Sequence, residues 1–302
     1  MLKKDKTKPF RTDAGFTDPT AVSKLKEDRT YIPDNRFPLP PEYGVGGGGS
    51  SDPFNEHEYV DLGLPSGTLW AKMNVGAESE TDAGLYFAWG ETTGYTASQV
   101  GNGEGQKAFS WDDYTLTEDS GSTMSKYNAS DNKTHLELTD DAATANMGGD
   151  WHMPNRAQCL ELFKETKNGF VTNEGSFTEY AWSDNDGYSS PTSTTAIISD
   201  WDTAGYFFFK SDVSDMDAAI TSGDYLFVPA AGYCEDGEVY DVGIVGIVWA
   251  SALSSESVES AWGFGFDSDR AGVYGYSRYF GQSVRGVVGQ MDEIIDDGGG
   301  IK

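Results

Sequence analysis

The sequence predicts an α+β fold in which short strands are joined by long loops and helices are few. Of its 302 residues, 37 are Gly, 16 Tyr, 16 Phe and 8 Trp, a composition that favours strands and turns. Short apolar segments alternate with clusters of Gly, Asn, Asp and Ser. Helical periodicity is confined to two stretches, and the length suits one or two domains.

The N-terminal part of the chain predicts an extended arm over residues 1–45. Prolines close this segment and oppose regular helix or central strand: Pro33, Pro38, Pro40 and Pro41. Residues 46–57 begin with a Gly/Ser run and are expected to form a flexible linker. The main domain is predicted over 58–290, and 291–302 form an acidic, Gly-rich tail.

Inside the main domain, five segments have the short apolar pattern of strands: 84–89, 206–209, 225–228, 242–249 and 262–266. Two stretches predict helices, 140–147 and 155–166. The stretch 155–166 follows a proline, and its spacing places the apolar residues on one side of the helix: Cys159, Leu160, Leu162 and Phe163.

The charge of the chain excludes several classes of partner. It carries 49 acidic and 21 basic side chains, a net charge of -28 and a pI near 4.2. Such a surface repels phosphate backbones and anionic membranes, so we expect no nucleic acid partner. Residues 1–36 differ, with nine basic and six acidic side chains. We also expect no membrane insertion and no secretory signal, because an apolar stretch of the required length is missing.

Motifs of catalysis and metal binding are weak, and we predict no catalytic residue, no metal site and no cofactor. His57, His135 and His152 lack the spacing of a helical zinc pair. Cys159 and Cys234 are expected to be buried free thiols. Carboxylate pairs are abundant, but a chain with 49 acidic residues contains such pairs by chance. A glycosidase, which needs two carboxylates facing each other across a cleft, is therefore kept only as an alternative.

One loop begins like a calcium-binding loop. Residues 184–187 read Asp-Asn-Asp-Gly, but Tyr188 and Ser189 follow, and the twelfth position of the loop holds no Glu. A solvated turn is the favoured interpretation of this segment.

The strongest positional signal is aromatic and lies in residues 246–285. We expect Trp249, Phe264 and Phe266 to fill the core. Tyr274 and Tyr276, surrounded by Ser, Asp, Gly and Arg, are expected to form an exposed recognition surface, because rigid aromatic rings and small polar residues suit recognition loops.

Five blocks in order resemble one known family. They are EYVDLGLPSGTLWAKMNVGA (58–77), YFAWGE (86–91), WHMPNRAQCLEL (151–162), LFVPAAGY (226–233) and RYFGQSVRGV (278–287). Together they look like the Fibrobacter succinogenes major paralogous domain, which is common in Bacteroidetes and their phages. The resemblance covers about 230 residues and excludes the first 57.

The resemblance implies a C-type lectin-like fold, related to that of the formylglycine-generating enzymes. The cysteine pair of those enzymes has no matching motif here, so the chain is expected not to be an enzyme. The Glu-Pro-Asn and Trp-Asn-Asp tripeptides of calcium-dependent animal lectins are also missing. Calcium-dependent sugar binding is therefore not implied.

The last block also resembles the variable region of proteins diversified by retroelements, which include tropism determinants of phages. The resemblance implies a fixed frame of Gly246, Trp249, Ser251, Ala261, Phe264, Phe266, Arg278, Gly281, Ser283, Val284 and Arg285. It implies displayed, ligand-binding side chains at Trp262, Asp267, Asp269, Arg270, Tyr274, Tyr276, Ser277 and Phe280. The chain departs from the family at 247–251, where it reads Ile-Val-Trp-Ala-Ser.

These observations predict a phage virion protein: a fibre, decoration or tail-associated protein. Its arm (1–45) docks on other virion proteins, and its head binds a host-surface glycan or protein for host attachment. A homotrimer is expected by analogy alone. The alternative is a bacterial cell-surface or secreted adhesin of the same fold. Two further readings remain open, an enzyme and a capsid decoration that binds nothing outside the particle.

Overall fold

The computed structural model describes residues 54–289, except 119, 120 and 122. These residues belong to one compact unit, which is mostly β-sheet with three α-helices and so has the α+β class that the sequence predicts. The predicted arm, the tail and most of the predicted linker lie outside the described residues.

The strands are short, as predicted. They are β1 (Tyr59–Val60), β2 (Leu69–Ala71), β3 (Tyr86–Phe87), β4 (Thr166–Val171), β5 (Ser176–Ser183), β6 (Tyr188–Ile197), β7 (Gly205–Lys210), β8 (Tyr225–Pro229), β9 (Tyr233–Glu235), β10 (Glu238–Tyr240), β11 (Gly246–Leu253), β12 (Ser260–Phe266), β13 (Ala271–Ser277), β14 (Gln282–Ser283) and β15 (Val287–Val288). The helices are α1 (Ala142–Met147), α2 (Arg156–Glu165) and α3 (Met216–Ser222), with 3₁₀ turns at Ala97–Gln99 and Leu138–Asp140.

Ten strands form one sheet in the order β3-β14-β11-β12-β13-β6-β5-β4-β7-β8. Neighbours are antiparallel except β11 and β14, which are parallel. A second sheet has the order β1-β2-β15 and joins the first and last strands of the described region. The pair β9 and β10 forms a separate hairpin.

The main core lies between α2 and one face of the large sheet. Phe163 of α2 packs edge-on against Phe208 and Phe264, with ring centroids 5.3 and 5.9 Å apart. Each buried aromatic side chain of this kind contributes about 1.5–3 kcal/mol through removal of apolar area from water. The opposite face of β7 buries Phe207 and Phe209 in a second cluster. Strand β7 is therefore apolar from Tyr206 to Phe209, because both of its faces are covered there.

Two of the helices agree with the sequence prediction to within two residues. Asp141 caps α1 by accepting a hydrogen bond from the Thr144 amide at 2.8 Å. Asn155 and Gln158 form a reciprocal capping box at the start of α2, with hydrogen bonds of 2.8 and 2.9 Å. The predicted apolar side of α2 is buried at three of its four positions, and Leu160 is partly buried.

The sequence predicts about two helices, and the described residues hold a third, α3. It is seven residues long and buries only Ala219, so it has no apolar periodicity to recognise. Its ends are nevertheless marked in the sequence. Asp215 accepts a hydrogen bond from the Ala218 amide at 3.0 Å, and Gly223 ends the helix in the left-handed conformation.

The strand predicted over 242–249 begins only at Gly246. Residues 242–245 instead form a turn that exposes Val242 and Ile244, at 61% and 57% of their surface. The backbone is left-handed at Asp241 (φ 55°) and at Gly243 (φ 79°), which no strand accommodates. The other four predicted strands coincide with β3, β7, β8 and β12, although β3 is only two residues long.

Arg278 is fully buried and bonds four acceptors in three other parts of the chain. Its Nε donates to the hydroxyl of Tyr114 at 2.9 Å. Its Nη1 donates to the carbonyls of Val258 at 3.0 Å and Tyr127 at 3.3 Å, and its Nη2 donates to the carbonyl of Lys126 at 3.1 Å. Within the described residues no carboxylate pairs with this guanidinium, so carbonyl and hydroxyl dipoles replace its hydration.

Aromatic rings surround the same guanidinium. Its central carbon lies 4.8 Å from the ring centroid of Trp89, 5.4 Å from that of Tyr114 and 5.9 Å from that of Tyr127. Cation–π attraction adds to the hydrogen bonds because this site excludes water. Tyr127 adopts a φ of 58°, an unusual value for a residue with a side chain, and its carbonyl bonds Arg278 in that conformation.

A second fully buried arginine, Arg285, holds the other end of the same segment. Its Nε donates to Asn74 Oδ1 at 2.9 Å, and its Nη1 donates to the carbonyls of Ala71 and Lys72 at 3.1 and 2.8 Å. Burial lowers its pKa from the ordinary arginine value. The core placement predicted for Trp249, Phe264 and Phe266 is confirmed, and other expected frame residues are also buried: Ala261, Arg278, Ser283, Val284 and Arg285.

Replacement of Arg278 by Leu is expected to lower the free energy of unfolding by about 3–5 kcal/mol, the usual cost of removing one member of a buried charged network and leaving its partners unpaired. Urea unfolding followed by tryptophan fluorescence measures the change. Arg270→Leu is the matched control at an exposed position, where we expect a change of about 0.5 kcal/mol or less. Equal losses in the two variants would contradict the role assigned to Arg278.

Candidate binding surface

The predicted display residues lie in three different places. Five of them belong to the β12–β13 hairpin and its outer face: Asp267, Asp269, Arg270, Tyr274 and Tyr276. Trp262 lies on the opposite face of the same hairpin. Ser277 and Phe280 lie at and beyond the end of β13. We therefore take the outer face of β12 and β13 as the candidate site and call it the tyrosine face.

The register of the hairpin determines which side chains form the tyrosine face. Gly263 pairs with Tyr274, and Gly265 pairs with Gly272. Residues opposite one another share a face, and side chains alternate along each strand. Tyr274 and Tyr276 therefore point away from the core that holds Phe264 and Val273.

Three glycines let the two tyrosine rings lie against the backbone. A Cβ added at Gly265 would collide with the hydroxyl of Tyr276, and one added at Gly263 would lie 3.3 Å from Cδ2 of the same ring. A Cβ at Gly272 would lie 3.1 Å from the hydroxyl of Tyr274. The rings therefore rest on strand backbone, where larger residues would displace them.

Both tyrosines are half-buried, so they are less exposed than the sequence predicts. Their rings meet edge-on with centroids 6.4 Å apart, and Tyr276 meets Trp249 at 6.2 Å. The hydroxyl of Tyr274 is buried, and no partner for it exists in the part of the chain that the structure describes. Burial raises the pKa of both phenols above their ordinary value.

Gln282 brings a buried amide to the same face. Its Oε1 lies 3.4 Å from the Cβ position of Gly263, and the residue is fully buried. Neither its oxygen nor its nitrogen has a hydrogen-bond partner among residues 54–289 that are described. An unpaired buried amide costs about 1–3 kcal/mol, so this face carries polar groups that are not satisfied within the fold.

The loop that joins β12 to β13 is organised by Asp267. Its Oδ1 accepts hydrogen bonds from the amides of Asp269 at 2.7 Å and Arg270 at 2.9 Å, and its backbone carbonyl accepts from the Tyr180 hydroxyl at 2.9 Å. Asp267 is therefore a positioning residue. Asp269 and Arg270 are exposed, and the Arg270 guanidinium lies 5.6 Å from the ring centroid of Tyr274.

The expectation that Trp262 is displayed is wrong. Only 9% of its surface is exposed, and it belongs to the main core cluster with Phe264 and Phe266. The reason is the two-residue period of β12, which puts these three side chains on one face. The guanidinium of Arg156 lies 4.5 Å from its ring centroid and covers it.

Phe280 and Ser277 are half-buried and do not join the tyrosine face. The ring of Phe280 contacts Tyr233 and Tyr279, with centroids 5.5 and 4.8 Å apart. Ser277 pairs with Ser260 at the far end of the hairpin. Sequence proximity had grouped these residues with Tyr276, but the chain turns at Arg278 and carries Phe280 into a different aromatic group.

Two residues of the tyrosine face were not predicted, Tyr188 and Gln282. Tyr188 pairs with Gly272 across a contact between strands far apart in sequence, and nothing local to it indicates this. Gln282 stands inside the block that resembles the known family, but its neighbours in that block are frame residues. Nothing in the sequence around Gln282 indicates that its amide is buried beside the tyrosine face.

The other candidates for site chemistry in the described residues are clustered metal ligands, the two thiols and the loop at 184–187. No group of three or more His, Cys, Asp or Glu there could hold a metal ion. The expected free, buried state of Cys159 and Cys234 is confirmed, and burial raises the pKa of the Cys234 thiol to about 12. In the loop at 184–187, Asp184 accepts from Trp182 and Lys164, and Asp186 accepts from Ser183.

Comparison with known proteins gives no match to a family model, to a curated protein or to a solved structure. Within the described residues, no helix is both long enough and apolar enough to cross a membrane. The chemistry of the surface therefore rests on the residues described above: half-buried phenols, a buried amide, and the exposed charges of Asp269 and Arg270.

Replacement of Gly265 by Ala is expected to displace the ring of Tyr276 without unfolding the head, because alanine suits a strand better than glycine. Displacement exposes the phenol, whose pKa then falls towards its ordinary value of about 10. Ultraviolet titration should show one more tyrosine ionising in that range than in the parent protein.

Gly275→Ala is the matched control, because its Cβ would approach Ser254 and Ser260 and neither tyrosine ring. We expect the parent titration curve in that variant. An unchanged curve in Gly265→Ala would show that Tyr276 does not rest on Gly265.

Proposed function

We propose that the chain is a phage virion structural protein, either a fibre, a decoration or a tail-associated protein. Residues 1–45 serve as the arm that docks on the particle. The described region serves as a C-type lectin-like head that binds a host-surface glycan or protein. The tyrosine face is the observation that carries this proposal.

The tyrosine face has the composition and support of a recognition surface. Two phenols and two exposed charges of opposite sign lie on one hairpin. The buried amide of Gln282, on β14, lies beside that hairpin at Gly263. Tyrosine supplies a large contact area at low conformational entropy cost, and small polar neighbours adapt to a ligand. The other side of the hairpin is packed in the core through Phe264 and Val273, so the displayed groups are held rigidly.

The frame of buried residues supports the resemblance to retroelement-diversified proteins. Positions expected to be fixed, such as Trp249, Arg278 and Arg285, are fully buried and hydrogen-bonded, whereas Asp269 and Arg270 are exposed. Exposed side chains generally change at a cost of about 0.5 kcal/mol or less. Such a head can vary its ligand contacts while its core stays constant.

A recognition surface of a few side chains on one hairpin is expected to bind weakly as a single site. Several copies on one particle would convert a weak contact into firm attachment, because each later contact is intramolecular. A homotrimer fits this requirement and is expected by analogy with fibres and tropism determinants. A bacterial adhesin would use the same face, so the location of the protein separates the two functions.

The location of the native protein is measured by mass spectrometry of purified virions, compared with the membrane and secreted fractions of the host culture. Recovery in particles at a constant copy number is the expected result. Recovery only in the outer-membrane or secreted fraction would replace the virion proposal with the adhesin.

Substitution of the exposed loop charges, Asp269→Ala with Arg270→Ala, is expected to reduce adsorption of particles to host cells about tenfold, a loss of about 1.4 kcal/mol. Tyr274→Ala with Tyr276→Ala should reduce it further, because truncated aromatic anchors are commonly the costliest losses in an interface. Adsorption is measured as the rate at which free particles disappear from a host suspension.

The control pair is Thr194→Ala with Thr195→Ala, two exposed positions on β6. We expect adsorption at the parent rate. If the loop variant and the tyrosine variant both form intact particles and adsorb at the parent rate, the tyrosine face is not the attachment site.

A further inference from the structure

A second aromatic surface lies on the β9–β10 hairpin, the chain after β13 and the loop that carries Trp111. Its five side chains are half-buried, and each ring contacts the next one in space. The centroids of successive rings are 5.6, 5.5, 4.8 and 4.7 Å apart. We call it the aromatic ladder, and its members in spatial order are Tyr240, Tyr233, Phe280, Tyr279 and Trp111. No ring contact links it to the tyrosine face within the described residues.

The aromatic ladder is held in place by backbone hydrogen bonds. Buried Cys234 exchanges two with Gly281, at 2.7 and 2.9 Å, which joins the hairpin to the chain that carries Phe280. At the hairpin tip, the amide of Gly237 donates to the carbonyl of Ala108 at 2.6 Å. A partner would therefore meet rings that are already ordered, which reduces the entropy cost of binding.

Four carboxylates lie beside the three tyrosines of the aromatic ladder: Glu235, Asp236, Glu238 and Asp241. Glu235 Oε1 accepts a hydrogen bond from the Tyr279 hydroxyl at 2.9 Å. A hydrogen bond to Glu238 raises the pKa of Tyr240, whereas burial, followed by the charges of Asp241 and Glu235, raises that of Tyr233. The negative charges therefore face the tyrosine hydroxyls.

No cation of the head neutralises this group. Across the described residues, no Lys or Arg forms an ion pair with these four carboxylates or lies over any ring of the aromatic ladder. Elsewhere the head does place cations on its aromatic rings, as in Arg156 over Trp262 and Lys164 over Trp182. The aromatic ladder differs from these sites in offering acceptors and ring faces without a cation.

Apolar surface adjoins the acidic side of the hairpin. The chain that leaves Tyr240 exposes Val242 and Ile244, the two exposed aliphatic residues noted above. Exposed apolar groups rimmed by charge are typical of interaction surfaces. They also suit the methylene stems of long basic side chains, which pack on apolar surface while their charged ends stay hydrated.

We propose that the aromatic ladder binds a basic, extended peptide segment of a partner protein, through its Arg and Lys side chains. Guanidinium and ammonium groups gain cation–π attraction from the rings and charge pairing from the carboxylates. A neutral glycan would gain nothing from the four negative charges, and an anionic glycan would be repelled. The site requires no metal and does not depend on the function of the tyrosine face.

The test must separate this site from the general acidity of a chain with net charge -28, which attracts any polycation. The probe is a fluorescent hexa-arginine peptide, and its affinity for the full chain is measured by anisotropy at physiological salt. Glu238→Gln with Asp241→Asn removes two exposed charges beside the aromatic ladder. Asp212→Asn with Glu256→Gln removes two exposed charges elsewhere and is the matched control.

We expect the variant beside the aromatic ladder to bind the peptide about tenfold more weakly, and the control to bind within about twofold of the parent protein. Tyr240→Leu, which removes a ring and keeps every carboxylate, should also weaken binding by severalfold. Thermal melts at the parent midpoint show that each variant is folded.

Equal weakening in the two charge variants would overturn the proposal, because binding would then follow net charge alone. Full retention of affinity by Tyr240→Leu would show that the ring does not contribute to binding, and this result would also overturn the proposal. Displacement of the peptide by a neutral hexasaccharide at equal concentration would assign the surface to a glycan instead. A failure of attachment in the tyrosine-face variants leaves each of these readouts unchanged.

Discussion

Burial of the Arg278 guanidinium is the constraint on which the rest of this head depends. A charge without a carboxylate partner is costly to bury, and it is tolerated here because one hydroxyl and three carbonyls bond it while three rings enclose it. Those acceptors come from loops around Tyr114, Tyr127 and Val258, which have little regular structure. Arg278 thereby orders loops that the strands alone do not reach.

Arg278 also stands between the two candidate surfaces. Tyr276 precedes it on the tyrosine face, and Tyr279 and Phe280 follow it in the aromatic ladder. The two surfaces share this anchor and differ in chemistry: one combines phenols with an unpaired amide and charges of both signs, the other combines rings with carboxylates alone. The two proposals assign these surfaces to partners of different kinds, and neither proposal requires the core to rearrange.

Much of the fold was predictable because its signals are local. Proline and a capping box mark the start of α2, and apolar runs mark β7, β8 and β12. The site was predicted only in part. Composition identified Tyr274 and Tyr276, but strand alternation, which depends on register, placed Trp262 in the core. The aromatic ladder depends on contacts between segments more than a hundred residues apart, such as Trp111 with Tyr279, which no local pattern reveals.

Native-state amide hydrogen exchange tests the central claim that buried arginines hold a rigid frame beneath displayed loops. We expect the amides of residues 278–288 to exchange only through global unfolding, since Arg278 and Arg285 tie both ends of that segment to the core. Amides of the 267–270 loop should exchange through local motion at a much lower free energy. Equal, fast exchange in both segments would contradict the account.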